Sequence, residues 1–482
     1  MKLILYLCIA ISIFATTGCS FNANKSYTSH SKQSNQQTKN TLNKEERQTY
    51  LQHQLQGANA FIQDPTIRAN KYKKMMASPF NFYRGTTPLY YSDLRAGVIP
   101  IPAGWNQHTP IQTWLEGDAH AQNVAIFDDC EGTLRFDVTD FKNSYIGPFY
   151  WDILRFMSSI FLFTDELPHI KVSTAQQKQM ASAFLQTYQT TLQKIIENPT
   201  EKYKELRAEQ LKDGFIKKQM EEMKSSYTYE VFLGQTTTLL QNGKHIFLPN
   251  DSSFVSLGAE EQEDFTKGWN GYIKSIASFA DTKSEGYFTR KDVVHKQNSG
   301  VGSVGRDIFY VLIEGNTAEP EDDIVLEVKE QQLPAMFTEG QLSKEEYDGW
   351  FSSHAERTRI ATLATGINID SHLGTLYTRG RSYSVKKLSP WYHEFDSADF
   401  RKISDVEEFV QYAAIAFARM HARADSDYNQ TYIPHRFAEN TVEFMKKNPQ
   451  FPQQFLQWSE DYYHQVVEDY TLFQELVQNK KL

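Results

Sequence analysis

Glu116-Gly117-Asp118-Ala119-His120-Ala121-Gln122-Asn123, followed by Asp140-Phe141, is the stretch on which the reading of this chain turns. Trp114-Leu115-Glu116 leads into it as a strand. Val124 to Phe127 and Leu134 to Val138 read as short apolar strands around the turn residues Asp128-Asp129-Cys130-Glu131-Gly132. That hairpin returns Asp140 towards Asp118 and Asn123. A carboxamide and a carboxylate facing one pocket are hard oxygen ligands for a small cation, and a second carboxylate is left to act as a base. An Asp with an Asn five residues on is a weak pattern alone; the hairpin and the Asp-Phe give it content.

Far downstream, Gly300-Val301-Gly302-Ser303-Val304-Gly305 precedes two expected strands, Asp307 to Glu314 and Ile324 to Lys329. In Val325-Leu326-Glu327-Val328-Lys329 the lysine follows alternating apolar positions. An inward ammonium there is costly unless a phosphate or an acidic partner offsets it. The bland alternatives are a flexible turn and a surface lysine. Phosphoryl transfer needs a carboxylate near the accepting hydroxyl, oxygen ligands for magnesium and a cradle for phosphates, which these segments supply together.

The chain opens with Lys2 and an apolar run, Leu3 to Ala15, too short to span a bilayer and suited to a secretory signal. Thr17-Gly18-Cys19 resembles the lipobox of bacterial lipoproteins, with Thr16 where leucine is usual. This resemblance implies removal of residues 1–18, acylation of Cys19 and anchoring to the cell envelope, Ser20 favouring the periplasmic face of the outer membrane. The alternative is ordinary cleavage nearby with Cys19 incidental. Residues 19–44, rich in Ser, Asn, Gln, Thr and Lys, read as a flexible tether. With Cys8 and Cys19 in the targeting segment, Cys130 has no internal disulfide partner. A net charge of -9 with mixed signs lacks the basic stripe of a nucleic-acid binder.

The organisation expected is α+β. A largely helical region covers 45–290, a β-rich glycine-loop region 291–395 and C-terminal helices 396–482. Within these, helices are expected from Lys44 to Gln63, Trp151 to Phe163, and Thr174 to about Met223, with Glu201 to Lys224 a solvated face. A hairpin turns at Gln241-Asn242-Gly243, residues 259–280 are helical, and a helix runs from Ser343 to Ala364. Two strands flank Arg379-Gly380-Arg381.

Glu116 to Asn123 looks like the catalytic loop of aminoglycoside and choline phosphotransferases. Asp140-Phe141, Gly147-Pro148 and Trp151-Asp152-Ile153-Leu154-Arg155 follow in the order those families use. Phe417-Ala418-Arg419-Met420-His421-Ala422 resembles the helix end that precedes their loop, yet lies near the C-terminus, after the glycines and Lys329. Every block is present and the cyclic order is kept, as a permutation predicts. Together with Ser78-Pro79-Phe80-Asn81-Phe82-Tyr83-Arg84-Gly85, the set more closely resembles the bacterial domain-of-unknown-function family 2252, over about residues 70–425.

The resemblance implies a two-lobed protein-kinase-like α+β fold, circularly permuted, with ATP or another nucleotide and Mg2+ as cofactors. Asp118 would be the base, Asn123 and Asp140 magnesium ligands, Gly300, Gly302, Ser303 and Gly305 the phosphate loop, and Lys329 the phosphate-pairing lysine. Asp152 would anchor the loop and His120 orient it. Arg84 would contact phosphate or form a structural ion pair. A helix glutamate should pair with Lys329, Glu356 being one candidate beside Glu345 and Glu346. Lys142 stands where the family usually has an acidic residue, and an exported protein meets little ATP.

Two functions are therefore expected. One is a kinase-like phosphotransferase or nucleotidyltransferase using a Mg-nucleotide on a small-molecule or envelope substrate. The other is a catalytically inactive kinase-like ligand-binding lipoprotein. A third, metallohydrolysis at Asp118, His120, Asp137 and Asp140, lacks the further Gly-Asp and Gly-Asn-His blocks it needs. The oligomeric state is open.

Overall fold

Apolar residues recurring at helical spacing flank a stretch in which they alternate, and the chain folds accordingly into helices around one core and a sheet with cores on both faces. The structure, a computed structural model, describes residues 42–105, 110–297, 300–337 and 344–482. Cys19, the signal and nearly all of the tether lie outside them. The class is α+β: helices and antiparallel sheets in separate runs.

Helix Tyr150–Asp165 is apolar almost all round, so it can only sit in the interior. It packs against Thr174–Glu197 and Phe451–Gln478, and the latter also covers Lys44–Ala58. Helix starts follow their caps: Asn43 forms a capping box with Glu46, Asp64 precedes Pro65, and Ser78 precedes Pro79. Ser78-Pro79 is such a start signal, and Pro79–Gly85 is a short helix. No described helix is long and apolar enough to cross a membrane.

The main sheet has six antiparallel strands in the order Gly374–Thr378, Arg381–Lys387, Ile324–Gln331, Ile308–Ile313, Arg290–Lys296, Phe254–Ser256. Ile324, Leu326 and Val328 join the core on one face, under helix Ala259–Ser275. Val325, Glu327, Lys329 and Gln331 take the other face by strand alternation. The sheet region therefore begins well before residue 291. The run Glu201 to Lys224 also differs from expectation. Only Phe215–Ser226 is an α-helix within it, and Lys202 is buried against Asp425 and Asp427. A charge run conceals such a pair because sequence does not show which acids face it.

Candidate functional site

Strand Gln112–Trp114 delivers Glu116 to Asp118 into a turn that only glycine can make at its centre. Gly117 has φ +88°, and a Cβ there would lie 2.1 Å from the Asn143 carbonyl oxygen. The turn is pinned from below. Asp152 accepts hydrogen bonds from the Glu116 and Gly117 amides at 2.6 and 3.0 Å, and His421 Nε2 lies 3.2 Å from the same carboxylate. The His421 ring meets Tyr188 OH through Nδ1 at 2.8 Å. Buried Glu116 accepts from the Asp118 amide at 2.7 Å and from Asn123 Nδ2 at 2.9 Å. Burial, and then the nearby Asp118 and Asp152, push the Glu116 carboxyl well above its ordinary range. Asn123 Nδ2 also donates to the Asp118 carbonyl oxygen at 3.1 Å, so its amide nitrogen is fully used. Among the described residues no donor reaches Asn123 Oδ1.

The Asp118 carboxylate is heavily engaged. Oδ1 accepts from Thr87 Oγ1 at 2.7 Å and from Arg155 Nε and Nη2 at 3.1 and 2.5 Å. Oδ2 lies 3.8 Å from Lys142 Nζ. Hairpin Val124–Asp128 and Leu134–Val138 brings Asp140 back as expected, at φ +60°, an uncommon backbone state for a residue with a side chain. Asp140 Oδ2 is hydrogen-bonded to Lys142 Nζ, and Oδ1 lies 3.8 Å from Lys329 Nζ. Burial alone would raise the Asp140 carboxyl, but Lys142 and Lys329 hold it far below the usual carboxylate range. Burial likewise opposes the Lys142 charge, yet Asp140 and Asp118 raise its affinity for the proton. Distant segments thus converge: Asp118, Asn123 and Asp140 from the helical side meet Lys329 from the sheet.

Between the two sides lies a cleft of about 750 Å³, lined by Thr139, Asp140 and Lys142 below and by Lys329, Gln331 and Lys386 above. Tyr229, Tyr287 and Tyr310 line it as well. The glycine segment does not line it. Val301–Ser303 is a 3-10 turn tucked towards helices Pro65–Met75 and Pro79–Gly85, with Val301 in the helical core. Gly302 faces Lys142: a Cβ there would stand 3.7 and 3.8 Å from its Cε and Nζ. Gly305 has φ +86° and Ser303 is buried. Of Gly300, Gly302, Ser303 and Gly305, Gly302 is the one shown against the cleft floor, through Lys142.

A magnesium ion does not fit these residues as they stand. The ammonium of Lys142 already holds Asp140, the one carboxylate expected to ligate it, together with Asp118, the expected base. Among the described residues no three His, Cys, Asp or Glu side chains gather as a metal-ligand set. Asp137 pairs with Arg423 at 3.2 Å, away from metallohydrolase duty. His120 is buried, and burial and then Arg84, Arg155 and Lys142 depress its proton affinity; among the described residues its Nδ1 has no partner.

One expectation on ion pairs is corrected. Glu356 pairs with Arg359 at 3.2 Å, not with Lys329, whose acidic partner is Asp140. Arg84 lies 3.9 Å from Glu394, an ion pair. Sequence reasoning gave no role to Glu116, Arg155, Lys71 or Arg306. Arg155, three residues after Asp152 on one helix face, was open to inference, as was Arg306 immediately after the last loop glycine. Lys71 sits in a lysine-rich helix that reads as solvated.

A family model described as "Uncharacterized protein conserved in bacteria (DUF2252)" matches residues 63–476. No curated protein and no solved structure matches the chain. The match spans nearly all of the described residues, including the turn at Gly117, the Asp152 anchor and the Lys329 strand, and on it the chain belongs to the DUF2252 family.

Proposed function

We propose that this protein is a kinase-like ligand-binding module of the bacterial cell envelope, which holds a phosphorylated small molecule in its cleft without transferring the phosphoryl group. The fold this implies is the circularly permuted, two-lobed one, tethered through acylated Cys19. One observation carries the reading: Lys142 Nζ bridges Asp140 and Asp118, where phosphotransfer would need a divalent cation. A fixed ammonium supplies positive charge for a phosphate, but its three N–H donors cannot assemble the octahedral oxygen shell that magnesium does. Asp118, bound on Oδ1 by Thr87 and Arg155, is equally ill suited to accept a proton from a substrate hydroxyl. The reading also accords with a compartment poor in ATP.

Phosphoryl transfer from a magnesium nucleotide remains the second reading, favoured by the unengaged Asn123 Oδ1 beside retained Asp118 and Asp140. It requires Lys142 to leave the carboxylates. Calorimetric titration with ATP separates the two. Affinity equal in magnesium and in EDTA supports the module, whereas binding seen only with magnesium, together with ADP release, supports the transferase.

A further inference from the structure

Charge on the glycine-loop side of the cleft floor does not balance. Five described arginines with a buried, unpartnered nitrogen each contact a carboxylate elsewhere on the guanidinium: Arg135 with Glu205, Arg155 with Asp118, Arg207 with Asp129, Arg359 with Glu356 and Arg419 with Glu201. Arg306 differs. Its Nε and Nη1 are buried without partner, and no carboxylate among the described residues is in contact with it. Nearby acids are committed: Asp118 to Arg155, Asp140 to Lys142, and Glu330 to Arg381 at 3.3 Å.

Lys71 adds to the imbalance. Its buried ammonium donates to Asn59 Oδ1 at 2.5 Å, a neutral partner. Burial, followed by the positive charges of Arg306 and Lys142, brings it down to about 7. Helix Pro65–Met75, which carries Lys71, packs on Val301–Ser303, and Lys71 Nζ lies 5.7 Å from the centre of the Phe61 ring, whose edge would stand 3.3 Å from a Cβ on Gly305, the residue before Arg306. Unpaired buried charge is retained at a cost unless something compensates it. A guanidinium with free N–H groups beside an ammonium matches a tetrahedral oxyanion, the guanidinium bonding two oxygens at once. Gly302 brings the loop against Lys142, a third cation at the same place.

We propose that Arg306 and Lys71, on either side of the glycine segment Gly300 to Gly305, form a metal-independent subsite for a phosphate-type oxyanion. The inference goes beyond the reading above, on which it rests only for the class of ligand. It gives the glycine segment a phosphate-side role away from the open cleft.

The test uses full-length protein in detergent with EDTA, titrated with pyrophosphate, alongside Arg306→Gln and Lys71→Met. Wild type should bind, and each variant should bind about ten-fold more weakly or worse, the loss expected for a charge-assisted hydrogen bond. Without oxyanion both variants should melt at or above the wild-type temperature, since each removes an uncompensated buried charge. Equal pyrophosphate affinity in all three proteins, or no binding by wild type, overturns the subsite. ATP distinguishes this failure from that of the broader reading. Arg306-dependent pyrophosphate binding without any ATP binding upholds the subsite and removes the nucleotide-sized cleft ligand. ATP binding that needs Lys329 but is untouched by Arg306→Gln overturns the subsite alone.

Discussion

His421 Nε2 lies 3.2 Å from Asp152 Oδ2 across 269 residues of chain, and that bond ties helix Ile403–Arg423 to the turn bearing Asp118. Asp152 holds two amides of the turn, and His421, locked by Tyr188, holds Asp152. Replacing His421 with Ala leaves a buried carboxylate short of a donor. The expected loss is about 1–3 kcal/mol in urea unfolding, and Tyr188→Phe should cost less because the His421–Asp152 bond survives it.

Gly117→Ala should be among the most damaging single-methyl changes. It combines a left-handed backbone with a Cβ overlapping the Asn143 carbonyl, and a loss of about 2 kcal/mol or more is expected by thermal or urea unfolding. Gly132→Ala shares the positive φ but has open space around it, so its loss should be roughly 1 kcal/mol.

Glu116→Gln keeps shape but turns one acceptor oxygen into a donor facing either the Asp118 amide or the Asn123 amide. A loss of about 1–3 kcal/mol follows, with loosening of the turn visible as faster amide exchange at Asp118.

Lys71 sets a pH signature. Its ammonium faces Arg306, Lys142 and Asp118, and it bonds Asn59. Between about 7 and the ordinary lysine value of 10.5 the unfolded chain carries this proton and the native protein does not, so stability should rise with pH across that window. Below about 7 both states are protonated and the penalty is constant. Lys71→Met should flatten the slope; an unchanged slope in that variant would contradict the burial of an uncompensated charge.

Much of this was legible in the chain because it rests on local rules. Turn residues flanked by alternating apolar ones placed both strands of the Asp140 hairpin, and Arg379-Gly380 the later one, where both residues adopt positive φ. The family resemblance implies Asp152 as the anchor of the turn, and strand alternation turns Lys329 inward; Asp152 bonds two turn amides and Lys329 lines the cleft. What escaped were partners set by tertiary packing. Which acid meets Lys329 depends on how helix His354–Thr365 lies on the sheet, and that helix turns Glu356 towards Arg359. The tuck of Val301 into the helical core, which closes the glycine segment off from the cleft, follows from the valines between the glycines, Val301 and Val304 both being buried, and is masked by the phosphate-loop pattern. Lys142 was visible as a departure, but not its bridging of both carboxylates.

The central claim is that Lys142 stands in for a divalent cation, and manganese tests it most directly through electron paramagnetic resonance of Mn2+ titrated into the ATP-bound protein. Wild type should leave the spectrum that of Mn2+ with ATP in solution, and Lys142→Asp should create a protein-bound Mn2+ signal that Asp140→Ala abolishes. A stoichiometric, Asp140-dependent Mn2+ signal in wild type would contradict the account.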